Sequence, residues 1–193
     1  MQRLKNNVFV LLMGESGVGK TTIADYMEKN YGLHQVVSYT NRLRRFDGEL
    51  GHHFIEERDI EKIKQEYPNR VAETEYNGNF YFATQEQIDE CDVYVINPSA
   101  VEEFKRRYTG GKTVKVVLLI DTPENKVKHM LSRGDSISKI SERLKYDRDE
   151  FRDARKLADY VIANTGVENT ARIIKGAIWG WNVIAANKAE SKN

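Results

Sequence analysis

Short apolar runs alternate along the chain with longer amphipathic stretches. Val8–Met13 (VFVLLM), Val93–Ile96 (VYVI), Val114–Ile120 (VKVVLLI) and Tyr160–Ala163 (YVIA) are apolar at nearly every position. Such runs predict strands buried on both faces, as in a parallel sheet, and Asn7 and Gly14 bound the first. Gln35–Tyr39 is a further strand candidate, second in chain order. Helical spacing follows each strand. It runs from Gly19 to about Asn30, with Ile23, Tyr26 and Met27 on one side and Gly32 as the stop, then over Ser99–Tyr108, Pro123–Ser132 and Val167–Ala185. In the last of these, Ile174, Ile178 and Trp181 recur on one face. Strand alternating with helix predicts an α/β fold, a three-layer parallel-sheet core with crossover helices.

Two stretches break this rhythm. Thr40–Glu90 is polar, rich in charge and glycine, and holds short β-like runs such as Asn79–Ala83. Gly134–Asp153 is a highly charged helical segment between two core elements. The expected organisation is a core of 1–37, 92–133 and 155–193, an insert at 38–91 and a mobile helical lid at 134–154. The polar tail Asn187–Asn193 is expected to fray.

Composition narrows the class. Thirty basic side chains face 29 acidic ones in 193 residues, a net charge of +1, so no basic excess suits the chain to coating nucleic acid. Cys91 is the single cysteine, which excludes an internal disulfide framework and fits a reducing compartment. No apolar run is long enough to span a bilayer, and the N-terminus does not read as a secretion signal. The expectation is a soluble cytoplasmic protein, monomer or homodimer, without membrane or nucleic-acid partners. His52 and His53 lack a completing Cys or His cluster, so they do not predict a metal site. Trp179 and Trp181 read as core or interface aromatics.

The chemistry begins directly after the first strand. Gly14-Glu15-Ser16-Gly17-Val18-Gly19-Lys20-Thr21-Thr22 matches G-x-x-x-x-G-K-[ST]. Glycines let successive backbone N–H groups converge on phosphate oxygens, and the helix that follows adds its positive dipole end. Lys20 supplies a point charge for the β- and γ-phosphates, and the Thr21 hydroxyl is placed to ligate Mg²⁺. The loop therefore predicts binding of a nucleoside triphosphate, with ATP and Mg²⁺ as the expected pair.

The insert opens with Ser38-Tyr-Thr-Asn-Arg42-Leu-Arg44-Arg45. Three arginines in four positions form a candidate clamp for a second anion, since guanidinium groups pair bidentately with phosphate; the competing reading is a solvated basic turn. Tyr81 is either a hydroxyl donor to the same phosphate or a strand aromatic in the insert's own packing. Arg133 and Arg143 flank the charged lid; surface pairing of Arg143 with Asp147 is the alternative to a role at the transferring group.

With these residues in view, the chain resembles the guanylate kinase family from roughly Val8 to Ile178. The resemblance rests on the GESGVGKTT loop, the S-x-T-x-R…R opening of the insert, the G-E…G signature, G-N-x-Y at Gly78–Tyr81, L-x-x-R-G at Leu131–Gly134, R-L…E at Arg143, Leu144 and Glu150, and D-Y-V-I-x-N ending at Asn164. It implies that Ser38, Arg42, Arg45 and Tyr81 hold an acceptor nucleotide, that Arg133 and Arg143 swing in from the lid, and that Asn164 sits near the adenine of ATP. It implies transfer of the γ-phosphoryl group of ATP to a purine nucleoside monophosphate, GMP or dGMP first, with Lys20, Arg42, Arg133 and Arg143 handling the charge.

The departures cluster on base recognition. Asn97 stands where the family usually has aspartate and Ala100 where it has glycine. Counting back from Gly78 puts Ala72 at the position of the guanine-reading glutamate, leaving Glu73 or Glu75 to stand in. His129 lies where an arginine is common, and no acid stands out beside the phosphate-loop strand. Two alternatives stay open: a nucleotide-binding or scaffold module without turnover, and a kinase of another phosphorylated small molecule such as a ribose phosphate.

Overall fold

The computed structural model describes residues 7–44, 47–49, 51–76 and 78–190, the last five of these as backbone only. The fold is α/β. Strand β1 (Val8–Gly14) is buried at all seven positions and lies between β6 (Val93–Val95) and β7 (Thr113–Ile120). β8 (Tyr160–Ala163) completes a four-stranded parallel sheet of order β6-β1-β7-β8. The two-residue period of β1 divides its side chains between two helical layers. Phe9, Leu11 and Met13 pack with Ala100, Val101 and Phe104 of α4 (Pro98–Arg107). Val8, Val10 and Leu12 pack with Ile23 and Met27 of α1 (Lys20–Tyr31) and with Ala171, Ile174, Ile178 and Trp181 of α8 (Val167–Glu190). Trp181 is buried, whereas Trp179 is 72% exposed.

A second sheet holds β2 (Ser38–Thr40), β3 (His52–Phe54), β4 (Arg70–Tyr76) and β5 (Asn79–Thr84) in the order β3-β2-β5-β4. Between β3 and β4 lies α2 (Ile60–Glu66), and α3 (Gln85–Glu90) leads back to β6. The 35–39 candidate splits. Gln35 makes only an isolated parallel bridge to Val93, and the regular strand begins at Ser38, in the second sheet. The apolar content of Gln35–Tyr39 does not distinguish an edge of the first sheet from a centre strand of the second.

Strand β4 is irregular. Its register shifts between Val71 and Thr74, and Ala72 has φ 55°, the left-handed region that a side chain rarely adopts. Ala72 is fully buried, and Val71, Ala72 and Ala83 join the α4 side of the core, which ties the second sheet to the first. After β7 come α5 (Pro123–Ser132), α6 (Ile137–Glu150) and the short α7 (Ala154–Leu157). The only fully buried positions of α6 are Ile140 and Asp147. No described helix is long and apolar enough to cross a membrane.

Phe9 and Phe104 stack at a centroid separation of 5.7 Å and are both fully buried. Phe104→Ala should therefore lower stability by about 3–5 kcal/mol in urea unfolding. A loss under about 1 kcal/mol would show that this face of the sheet is not a packed layer.

Candidate active site

The carboxyl end of β1 runs into the glycine loop, which turns into α1 at Gly19 (φ 94°). Gly17 (φ 78°) lies so close to the Lys126 carbonyl that a Cβ would collide with it. The loop is tied down residue by residue. The Lys20 ammonium donates to the carbonyls of Gly14 (2.5 Å) and Glu15 (3.0 Å), and the Glu15 carboxylate pairs with Lys126. His129 Nδ1 lies 2.8 Å from the Gly17 carbonyl, which can only accept, so this nitrogen carries the hydrogen. The Asn164 amide donates to the Val18 carbonyl at 2.9 Å, while its own oxygen accepts from Gly166 N–H and the Thr170 hydroxyl.

This loop forms part of one cavity of about 700 Å³, a size suited to small-molecule ligands. Ser16, Gly17, Gly19, Lys20, Thr21 and Thr22 line it from the loop, and Asn164 from the segment after β8. Ser38, Tyr81 and Asn97 line it from the second sheet and the end of β6, and Arg133 and Arg143 from the ends of α5 and the body of α6. Gly14, Glu15 and Val18 do not reach the wall; Gly14 and Val18 are buried beneath the loop.

Two expected acceptor residues lie elsewhere. Arg42 is bound bidentately by Glu49, at 2.8 and 3.2 Å, and also donates to the Leu43 carbonyl. Both side chains of this pair are nearly buried, and the pair does not line the cavity. Glu73 is turned away by the β4 irregularity. Its carboxylate accepts from Arg70 Nε at 2.9 Å, and its backbone N–H donates to Glu103. Arg45 lies outside the described residues. Arg44 packs its guanidinium 4.1 Å from the Phe54 ring centroid. The surface pair of Arg143 with Asp147 does not form: Asp147 is bound elsewhere, and Arg143 has no hydrogen-bond or ion partner among the described residues.

The structure adds wall residues that pattern reading missed. His52, Ala72, Thr74, Tyr76 and Tyr94 join Ser38 and Tyr81 around one arm of the cavity. The Ser38 hydroxyl lies 2.9 Å from His52 Nδ1. Burial pushes the Tyr94 phenol above its ordinary range, so it stays a neutral hydroxyl. Asn97 caps α4 in position only: its carbonyl accepts from Ala100 N–H, but its side chain makes no hydrogen bond among the described residues, and the residue lines the cavity. Asp121 follows β7, the strand beside β1, and lines the cavity. One of its oxygens accepts from Thr122 N–H and the Asn125 amide, which leaves the other unpaired among the described residues. An acid directly after the 114–120 apolar run was the available signal.

The donor set fits Mg²⁺. Thr21 and Asp121 supply hard oxygens on the same cavity, and no cluster of three His, Cys, Asp or Glu residues occurs among the described residues. That suits an ion that keeps several waters and takes the rest of its shell from phosphates.

Curated relatives align over most of the chain. The guanylate kinases of Bartonella henselae and Bartonella quintana are each 27% identical over 175 residues, covering 86% of this chain and 77% of theirs. The guanylate kinase of Mycoplasmoides gallisepticum is 25% identical over 191 residues, covering 92% and 95%. The crystal structure of guanylate kinase from Anaplasma phagocytophilum superposes with a TM-score of 0.61 at 19% identity, over 91% of this chain and 87% of that one. No family model matches the chain. Parallel sheet, phosphate loop and enclosing second sheet define a P-loop protein of the nucleoside monophosphate kinase class. Within that class the chain is similar to guanylate kinases, at 25–27% identity to the curated relatives over most of its length.

Gly17→Ala places a methyl group against the Lys126 carbonyl at a left-handed φ. We expect loss of detectable heat on calorimetric titration with ATP, and destabilisation of about 1–3 kcal/mol. Wild-type affinity in this variant would show that the loop is not the triphosphate site.

Proposed function

We propose that the protein transfers the γ-phosphoryl group of ATP to a purine nucleoside monophosphate, with GMP and dGMP as the leading acceptors. The observation that carries this reading is the single cavity shared by the glycine loop, the second sheet and two arginines near the lid helix. One ligand alone needs no such second wall. In-line transfer requires two anionic nucleotides held together away from water.

Each role follows from chemistry at a stated atom. Loop N–H groups and the Lys20 ammonium bind the triphosphate, which takes over from the Gly14 and Glu15 carbonyls as the partner of Lys20. Arg143, lacking an anion of its own, stabilises charge on the moving phosphoryl group. Arg133 joins it on releasing Asp135, to which Nε now donates at 2.6 Å. Thr21 and Asp121 would hold Mg²⁺, which when bound would neutralise phosphate charge. Ser38 and Tyr81 hold the acceptor, and Arg42 reaches the acceptor phosphate only by exchanging Glu49 for it. Asn164 braces the triphosphate loop rather than reading the adenine ring alone.

A second reading concerns the base. Among the described residues, the acceptor arm offers hydroxyls, an imidazole and the Asn97 carboxamide, and Glu73 is ion-paired outside it. Carboxylates accept only, whereas hydroxyls and carboxamides both donate and accept, so they serve 6-oxo and 6-amino purines alike. This favours acceptance of IMP and AMP beside GMP.

The deciding experiment is an ADP-release assay with ATP and Mg²⁺ over GMP, dGMP, IMP, AMP and ribose 5-phosphate, with ATP binding measured in parallel. ATP binding without monophosphate-dependent turnover would return the protein to a binding module, and preference for ribose 5-phosphate would make it a sugar-phosphate kinase. Lys20→Ala should lower kcat by about 10²–10³-fold with Tm nearly unchanged. Asn97→Asp should raise the preference for GMP over AMP by about tenfold or more, because a carboxylate accepts from guanine N1–H and N2–H and repels the lone pair of adenine N1.

A further inference from the structure

The lid helix α6 is charged along most of its length and buries a carboxylate. Asp147 is 1% exposed, and no cation pairs with it among the described residues. A buried, unpaired carboxylate is costly unless its oxygens are hydrogen-bonded. Both are. One oxygen accepts from the backbone N–H of Ser16 in the phosphate loop at 2.6 Å, and the other from the Tyr76 hydroxyl at 2.8 Å. Tyr76 ends β4 and lines the cavity, and the Tyr146 ring packs edge-on against it at 4.7 Å. One side chain thus joins the lid, the loop and the second sheet.

Resting on the kinase reading above, we propose that Asp147 is a positioning residue: it pins α6 to the phosphate loop and to β4, and so sets Arg143 in the cavity. Arg143 stands four residues earlier, on the same helix face. The Asp147 oxygens are turned to Ser16 and Tyr76 and form no ion pair with Arg143 one turn away, so the guanidinium stays free to meet phosphate. The apolar hold on α6 is slight, since Ile140 is its one other fully buried residue. Glu150 adds a tether by accepting from Ser99 N–H at 2.9 Å, but it reaches α4 and not the loop. Burial, and then the neighbouring carboxylate, push the Tyr76 phenol far above its ordinary range, which keeps it a donor.

The test is a double-mutant cycle between Asp147→Ala and Arg143→Ala, with Tyr76→Phe as the milder break. Asp147→Ala should lower kcat by up to about 100-fold, because a misplaced catalytic group costs that much. The KM values for ATP and the monophosphate should move less than about threefold. In the Arg143→Ala background, the same change should cost less than about threefold more. Tyr76→Phe should lower kcat in the same background-dependent way, and it decides the matter if Asp147→Ala does not fold. Limited trypsin digestion reads the pin without turnover, since α6 carries Lys139, Arg143, Lys145 and Arg148. Cleavage within α6 should quicken by about tenfold in the Asp147 or Tyr76 variant at nearly constant Tm. Undiminished kcat, a full additive loss in the Arg143→Ala background, or unchanged cleavage each overturns the proposal. Wild-type protein that binds ATP and phosphorylates no monophosphate refutes the kinase reading, and the trypsin rates then still decide whether Asp147 pins the lid.

Discussion

The structure depends on holding one loop still while its peptide groups face an anion. Backbone amides bind phosphate well only when they are already aimed, because ordering them at the moment of binding would consume the affinity. Here the aim is set from outside the loop. Carbonyls of Gly14 and Glu15 are taken by Lys20, that of Gly17 by His129 and that of Val18 by Asn164, while Lys126 holds the Glu15 side chain. Each tie comes from an element anchored on the parallel sheet. The fully buried β1 supplies the fixed origin, and β7 and β8 deliver α5 and Asn164 to the loop.

The rest of the architecture follows from needing a second anion beside the first. A parallel sheet presents its loops at one end, and a segment inserted there can wall off a cavity without disturbing the core. The second sheet does so through β2, β4 and β5, whose contributions at the wall are uncharged and, apart from Ala72, polar. Among the described residues, formal charge is kept back from that arm. Arg42 is neutralised by Glu49, Glu73 by Arg70, and Lys64 lies 3.9 Å from Glu73. Among the described residues, the lysines and arginines that line the cavity are Lys20, Lys128, Arg133 and Arg143, beside the loop and lid. Charge is thus concentrated beside the glycine loop and the lid helix, and uncharged hydrogen-bonding groups along the arm walled by the second sheet.

What could be read from residues alone was what is local. Four core strands, four core helices and the glycine loop depend on runs of fewer than about 25 residues, and the patterns of burial and glycine spacing specify them. Gln35–Tyr39 was harder because two sheets meet there, so one apolar segment served both. Glu73 was placed by counting, and counting assumes a regular strand. The left-handed Ala72 breaks the alternation and sends the carboxylate out toward Arg70. Arg42 looked like a clamp because its neighbours are basic, whereas Glu49, seven residues on, claims it. Asp121 was visible as an acid after a strand, but its importance depends on β7 lying next to β1.

Asp147 marks the limit of such reading most clearly. The one basic residue three or four positions from it is Arg143, and helical spacing favours that pair. Its real partners lie 131 and 71 residues away. Two competing uses of one carboxylate separate here: an exposed ion pair worth little, and a desolvated pair of hydrogen bonds that only a folded chain offers. Burial decides for the second, because a carboxylate that is 1% exposed gains more from a fixed amide and phenol than from a mobile guanidinium. The consequence is reciprocal. Arg143 loses its helical partner, and an unpartnered cation facing an anion-binding cavity is what phosphoryl transfer requires of a lid.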